Sequence, residues 1–152
     1  MPEKRRNPFR EAEKKIRQLE RKKLSIGVPG GVEEGTVAEY AAHNEYGTKD
    51  DEGNEIIPER SFLRWGMRKF NDETAEKFGE VFIPQFIKGE IKRAEFYNLM
   101  GMKIVGIIRE GFGGSHLAPN AESTIQRKGT DKPLIDQSIL RSSITHVIDD
   151  AD

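Results

Sequence analysis

Three histidines, His43, His116 and His146, are the side chains of this sequence whose ordinary titration lies nearest neutral pH, and there is no cysteine. They are the first candidates for acid/base chemistry or metal binding. His43 stands beside Asn44 and Glu45, and a His next to an acid suggests a proton relay or half a metal site. The stretch around them reads as a helix, however, and adjacent residues on a helix do not face each other. The His-x3-His spacing of a metal-binding helix is also absent. His116 falls in a loop and His146 in a strand, with no Ser or Cys nucleophile motif nearby. The run GFGG at 111–114 has the composition of a phosphate-cradling loop, but it lacks the GxxxxGK[ST] spacing and follows a helix instead of opening one. Without cysteine, disulfides, thiol catalysis and cysteine-ligated metals are excluded. The expectation is a protein that is no enzyme, with no catalytic residue, no cofactor and no metal.

The totals point the same way. A chain of 152 residues suits one domain, and with 35% apolar and 34% charged residues part of it must be solvated helix surface, arm or loop. A net charge of −1 argues against a whole-protein grip on DNA. No apolar run approaches the ~20 residues of a membrane span. The opening MPEKRRNPFREAEKK is positive but lacks an apolar stretch after it, so it is not expected to act as a secretory signal. The charge is unevenly spread: residues 1–23 hold ten Lys/Arg against four Glu, and the chain ends in Asp149, Asp150 and Asp152. We read a basic N-terminal helix or arm (1–23), a single domain (24–148) and an acidic tail (149–152). The arm is either a solvated amphipathic helix or a contact for DNA or an acidic partner through Arg5, Arg6, Lys14, Arg17 and Arg21.

The elements that must hold these groups follow in order. Asn7-Pro8 starts a helix, with Phe9, Ala12, Ile16 and Leu19 on one face. LSIGV (24–28) reads as a strand, broken by Pro29, Gly30 and Gly31, and Thr36-Val37 as its hairpin partner. Ala38, Ala41, Ala42 and Tyr46 share a helical face that Gly47 ends. KDDEGNE (49–55) is an exposed loop tip, and Ile56-Ile57-Pro58 is extended. Ser61 is placed to cap a helix carrying Phe62, Leu63, Trp65, Met67 and Phe70. Asn71-Asp72 either interrupts this helix or is passed through on its exposed face, and Pro84 should kink or restart the helical pattern. Residues 87–112 carry the strongest helical signal, with Ala94, Tyr97, Ile104, Ile108 and Phe112 on one face and Gly101 and Gly106 permitting a close crossing. A long irregular span, 111–133, then leads to KPLIDQSILRSSITHVI (132–148). There Pro133 sets the direction, Leu134 and Ile135 offer an apolar pair, Asp136 caps a short helix at 137–141, and 142–148 forms a strand. The fold expected is α+β: a small, mainly antiparallel sheet of 24–28, 36–37 and 142–148, packed by long helices 8–23 and 90–112, with extended loops and a projecting N-terminal helix.

Four of these segments, in this order, resemble the small neck and tail-completion proteins of long-tailed bacteriophages and prophages, often labelled virion morphogenesis or tail-component proteins. Ala42-His43-Asn44-Glu45-Tyr46-Gly47 resembles their A…NE(F/Y)G segment, and Ile57-Pro58-Glu59-Arg60-Ser61-Phe62-Leu63-Arg64 their IPxRxFLR segment. Pro119 with the run STIQRKGTDKPLID (123–136) resembles PxxxSTIxRKGxDKPLID, and Leu140-Arg141-Ser142-Ser143-Ile144 resembles LxxSI. The resemblance spans roughly 25–148. It departs where the family usually continues PLIDTG and this chain has Asp136-Gln137-Ser138, losing a glycine that tolerates positive φ.

The resemblance implies a structural virion protein: a homo-oligomeric ring, a hexamer ahead of a dodecamer, joining head to tail in the neck or terminating the tail tube. Its partners would be neighbouring connector or tail-tube proteins, with DNA only as cargo in the lumen and no membrane. It would be made in the host cytoplasm. The subunit contacts expected are Asn44, Glu45, Tyr46, Gly47, Pro58, Arg60 and Phe62, with Arg127, Lys128, Pro133, Leu134 and Asp136. The alternative is a small DNA-binding assembly factor that uses the basic helix.

Overall fold

Arg93–Glu110, an 18-residue helix, is the element on which the others are assembled. Its buried residues, among them Phe96, Tyr97, Ile104, Val105, Ile107 and Ile108, face more than one neighbour at once. The computed structural model describes residues 7–31, 35–120, 126, 129 and 138–151. Among these are six helices and four short strands: α1 (Pro8–Leu19), β1 (Lys22–Gly27), α2 (Val37–Tyr46), β2 (Thr48–Lys49), β3 (Glu55–Ile57), α3 (Phe62–Glu73), α4 (Ala75–Lys88), α5 (Arg93–Glu110), α6 (Ser138–Ser143) and β4 (Thr145–Asp150). The α+β expectation holds.

The strands make two separate antiparallel pairs, β1 with β4 and β2 with β3. In the first pair Leu24 faces Ile148 and Ile26 faces His146. Leu24, Ile26 and Ile148 pack on the core that α5 anchors. His146 lies directly over Gly101, where an added Cβ would come within 2.4 Å of the imidazole. The ring also meets Asn98 of α5, Nε2 to Oδ1 at 3.0 Å. Asp149 and Asp150 of the acidic end belong to β4, and Lys22 pairs with Asp150 at 2.6 Å within one chain. That pairing holds the Asp150 carboxyl below its usual range.

The core is rich in aromatic rings at edge-on or tilted distances. Phe62 meets Phe112 at 5.3 Å, Phe78 meets Phe96 at 5.5 Å, and Phe86 meets Phe96 at 6.0 Å. These contacts tie α3 and α4 to α5. Leu140 and Ile144 close the core from α6 and the start of β4.

Several expectations are corrected. Thr36 and Val37 form no strand: Thr36 caps α2, its Oγ1 accepting from the Glu39 N–H at 3.1 Å, and Glu39 reaches back to the Gly35 N–H at 2.7 Å. The sheet thus loses its third strand, and Ser142 and Ser143 belong to α6, not to β4. Pro84 lies inside α4 without ending it; Glu80, whose carbonyl loses its partner, is exposed as Pro84 is. The long helical signal breaks instead at Gly89, whose φ of 82° is the left-handed conformation of a Schellman ending, with Glu90 N–H returning to the Gln85 carbonyl at 2.9 Å. Of the two readings of Asn71 and Asp72 the second holds, since they are passed through on the exposed side of α3; Ala94, expected on the apolar face of α5, is exposed.

Helix α1 does have the Asn7 cap, Oδ1 to Phe9 N–H at 3.1 Å, and its main packing is on α4, with hydrogen bonds from α5. Lys15 donates to the Ile87 carbonyl, Arg93 to that of Gln18 at 3.2 Å, and the Tyr97 hydroxyl to that of Leu19. Burial raises the Tyr97 hydroxyl above its ordinary pKa.

The close helix crossing lies at Gly66 and not at Gly106. A Cβ on Gly66 would fall 2.2 Å from Ile108 Cγ1, whereas nothing lies within 4 Å of one on Gly106. Gly66→Ala should therefore cost about 2–3 kcal/mol through overpacking. Gly106→Ala should stabilise by up to about 1 kcal/mol through helix propensity. Urea unfolding of the two variants checks the opposite signs.

Candidate functional site

The segments AHNEYG and IPERSFLR fold against each other where α2 ends and α3 begins. Ser61 occupies the N-cap of α3, but its side chain makes no capping bond. Glu45, the next-to-last residue of α2, caps α3 in its place. Its carboxylate accepts the N–H of Leu63 at 2.8 Å and that of Arg64 at 3.1 Å, the second and third helical residues, which an N-cap side chain ordinarily serves. Arg64 replies to α2: its Nε donates to Glu45 Oε1 at 2.8 Å, and its Nη2 donates to the Glu45 main-chain carbonyl at 2.7 Å. Each helix end supplies what the other lacks.

Arg60 makes the second joint. Its main-chain N–H donates to the Asn44 carbonyl at 2.7 Å, and its guanidinium donates to Asn44 Oδ1 at 3.2 Å. The same guanidinium reaches across to the Ala118 carbonyl at 2.9 Å and the Pro119 carbonyl at 3.0 Å. Burial lowers the pKa of this guanidinium. Gly47 makes the turn with a φ of 71°, and a Cβ there would stand 2.9 Å from the Ile57 carbonyl oxygen, so only glycine fits.

The structure thus brings together Asn44, Glu45, Gly47, Pro58, Arg60 and Phe62, all expected at a subunit boundary, but it uses most of them inside the chain. Asn44, Glu45, Arg60 and Phe62 are buried and make their contacts internally. Within the chain these four buried groups set the shape of the corner, while Gly47 and Pro58 stay partly exposed. Tyr46 differs, at 68% exposure, with the Arg64 guanidinium 5.0 Å from its ring centre. Of the basic-arm candidates, Lys14, Arg17 and Arg21 are exposed, with Arg17 held to Glu13 at 2.9 Å. Arg5, Arg6, Arg127, Lys128, Pro133, Leu134 and Asp136 lie outside the described residues.

The histidines do not converge. His43 faces Glu39 on its own helix at 3.8 Å and lines a groove of about 450 Å³ between α2 and α6, with Tyr40 and Ile139. His146 lies on Gly101 and Asn98. His116 stacks flat on Trp65, with centroids 3.8 Å apart and planes 8° apart. Gly111 and Gly114 leave room for the two rings, since a Cβ on either would strike one of them. Among the described residues no group of three His, Asp or Glu could hold a metal ion. Among them, too, no helix is long and apolar enough to cross a membrane.

Sequence reasoning missed Glu45 as a remote cap and the Trp65–His116 stack. Nothing in the sequence signalled either, since both join residues far apart along the chain.

The chain matches no protein family, no curated protein and no solved structure with which it was compared.

Two predictions follow from this geometry. Glu45→Ala leaves two helix N–H groups and the Arg64 Nε without their acceptor, and should lower the unfolding free energy by about 2–3 kcal/mol, with Glu45→Gln losing roughly half as much. The urea midpoint at constant m-value measures it. His116 is held below its ordinary pKa, chiefly by desolvation and then by Lys69. A folded pKa below the unfolded one gives stability that is complete above the unfolded value of about 6.5 and is lost as pH falls through the folded one. The melting temperature should therefore drop between pH 7 and pH 5 by more in the wild type than in His116→Phe.

Proposed function

We propose that this chain is a structural subunit of a tailed-phage virion, forming a ring in the neck or at the end of the tail tube. The reading draws on the resemblance of four ordered segments to neck and tail-completion proteins. One observation carries it further: large apolar side chains are uncovered at places far apart on the chain. Phe9 of α1 is 84% exposed, Tyr46 and Ile56 beside and within the β2–β3 hairpin are 68% and 63% exposed, and Ile139 of α6 is exposed as well. A subunit with different neighbours on different sides needs several such surfaces, and exposed apolar groups mark where partners dock.

In this reading the buried polar joint of Glu45, Arg64, Arg60 and Asn44 is scaffolding. It keeps the hairpin and the start of α3 in a fixed relation, which a subunit must have if its ring is to close. A hexamer is the copy number put first, a dodecamer the second. The virion is its location, and connector or tail-tube proteins are its neighbours.

The test is the native mass of the purified protein by light scattering, with imaging alone and with assembled capsid and tail parts. The expected result is a ring of defined mass or a ring formed on those parts. A monomer that binds neither would refute the reading. The DNA-binding alternative predicts steeply salt-dependent binding of duplex DNA carried by Lys14, Arg17 and Arg21.

A further inference from the structure

Helix α1 carries an apolar face that the rest of the described chain leaves uncovered. Phe9 and Ile16, seven residues apart, lie on one side of it, and both are exposed. Arg10 and Lys14 are exposed on the same helix and make no ion pair among the described residues. Glu13, the acid within this face, is already held by Arg17. This surface sits at the start of α5, fixed there by Arg93 and Tyr97.

At the far end of α5 stands a surface of opposite character. The β2–β3 hairpin presents Ile56, with Tyr46 beside it, and its tip carries Asp50, Asp51, Glu52 and Glu55. The tip has a set shape. The Asp50 carboxylate accepts the N–H groups of Glu52 at 3.0 Å and Asn54 at 2.8 Å, and the Asn54 side-chain amide at 3.0 Å. Those bonds, the Asn54 side chain first, hold Asp50 below its usual carboxylate range.

We infer that the hairpin of one copy docks on the α1 face of the next, with Ile56 and Tyr46 against Phe9 and Ile16, and the acidic tip beside Arg10 and Lys14. The inference rests on the ring reading and names the contact that would build the ring. Two features select a second copy of this chain as the occupant. The rims of the two apolar surfaces carry opposite charge, which sets register and suppresses wrong pairings. The surfaces are also mounted toward opposite ends of α5, whose 18 residues run ~27 Å at 1.5 Å per residue: the last residues of α1 bond to its first turn, and Phe62, just past the hairpin, meets Phe112 beyond its last. A contact between two different patches is head-to-tail, the type that closes into rings. DNA fits the α1 face less well: a phosphate backbone is gripped by cations and has no use for exposed Phe9 and Ile16.

Charge reversal tests it, with fold checked by circular dichroism. One variant carries Arg10→Glu and Lys14→Glu, a second carries Asp51→Lys and Glu55→Lys, and a third carries all four. Native mass at low salt is the readout. Each two-site variant should fall to the 17.3 kDa of a single chain. The four-site chain should assemble again, and so should a one-to-one mixture of the two-site variants, which keeps the test decisive if the four-site chain misfolds. Two-site variants that assemble like the wild type would overturn the contact while leaving the ring standing. Two-site variants that stay monomeric when mixed would overturn the pairing of these charges. Duplex DNA bound by the wild type, and lost on reversing Arg10 and Lys14 with the mass unchanged, would make α1 a nucleic-acid face and overturn it as well. A wild type that is monomeric at every concentration and on every virion part removes the ring itself, a result distinct from the other three.

Discussion

The exchange between Glu45 and Arg64 is the constraint on which the rest of this structure leans. A helix leaves N–H groups unserved at its start and carbonyls unserved at its end, and both are costly when buried. Here the end of α2 and the start of α3 are pressed together, so both sets of groups lose water at once. Glu45 is buried, and a buried carboxylate is unfavourable unless several donors surround it. It has them: two main-chain N–H groups at the positive end of a helix and one guanidinium nitrogen. The further pair of Arg64 with Glu59 at 2.9 Å is solvent-exposed, and such pairs contribute about 0–1 kcal/mol. The work is done by the buried set.

From that joint the fold propagates outward. Fixing the α2–α3 corner forces the chain between them, residues 47–61, to leave and return at nearly one point, and it does so as a short antiparallel hairpin. The same corner sets Phe62 against Phe112 and so fixes where α3 begins along α5. Gly66 then allows α3 to lie close on Ile108. Arg60 takes the loop after α5 into the same corner through the Ala118 and Pro119 carbonyls, and the His116–Trp65 stack holds that loop a few residues earlier.

How much of this was legible in the sequence depended on whether the cause was local. The Asn7-Pro8 start of α1, the Gly47 end of α2 and the helical face of Ile104 and Ile108 have local causes, and each is where the residues put it. Thr36 carries two conflicting local signals: Thr-Val has strand propensity, while Thr-x-x-Glu is a helix-start signature, and the longer pattern decides. Gly89 lies within a long apolar pattern that continues on both sides of it, which hides the break. The non-local features were not legible. A buried Glu looks the same in sequence as a surface Glu, so Asn44 and Glu45 read as contact residues when their partners lie 15 to 20 residues on, inside the chain. Gly66 and Gly106 are likewise indistinguishable until the position of Ile108 is known. The first two of the ordered segments, AHNEYG and IPERSFLR, meet in one internal joint that neither shows alone.

That distinction bears on how such a subunit would work. A surface that docks a neighbour must be exposed, yet it must also be stiff, because each side chain or loop ordered on contact subtracts from the affinity gained. The β2–β3 hairpin meets both demands by separating them. Its apolar and acidic groups face outward, while its two stems are clamped by buried polar contacts from Asn44, Glu45 and Arg60, and its tip is tied by Asp50 and Asn54. The buried polar residues of this chain are then best understood as the support that lets an exposed loop behave as a rigid element, at a distance from α1 that α5 sets. A closed ring requires that distance and angle to be the same in every copy, since a flexible hairpin would permit open chains of copies as readily as closure.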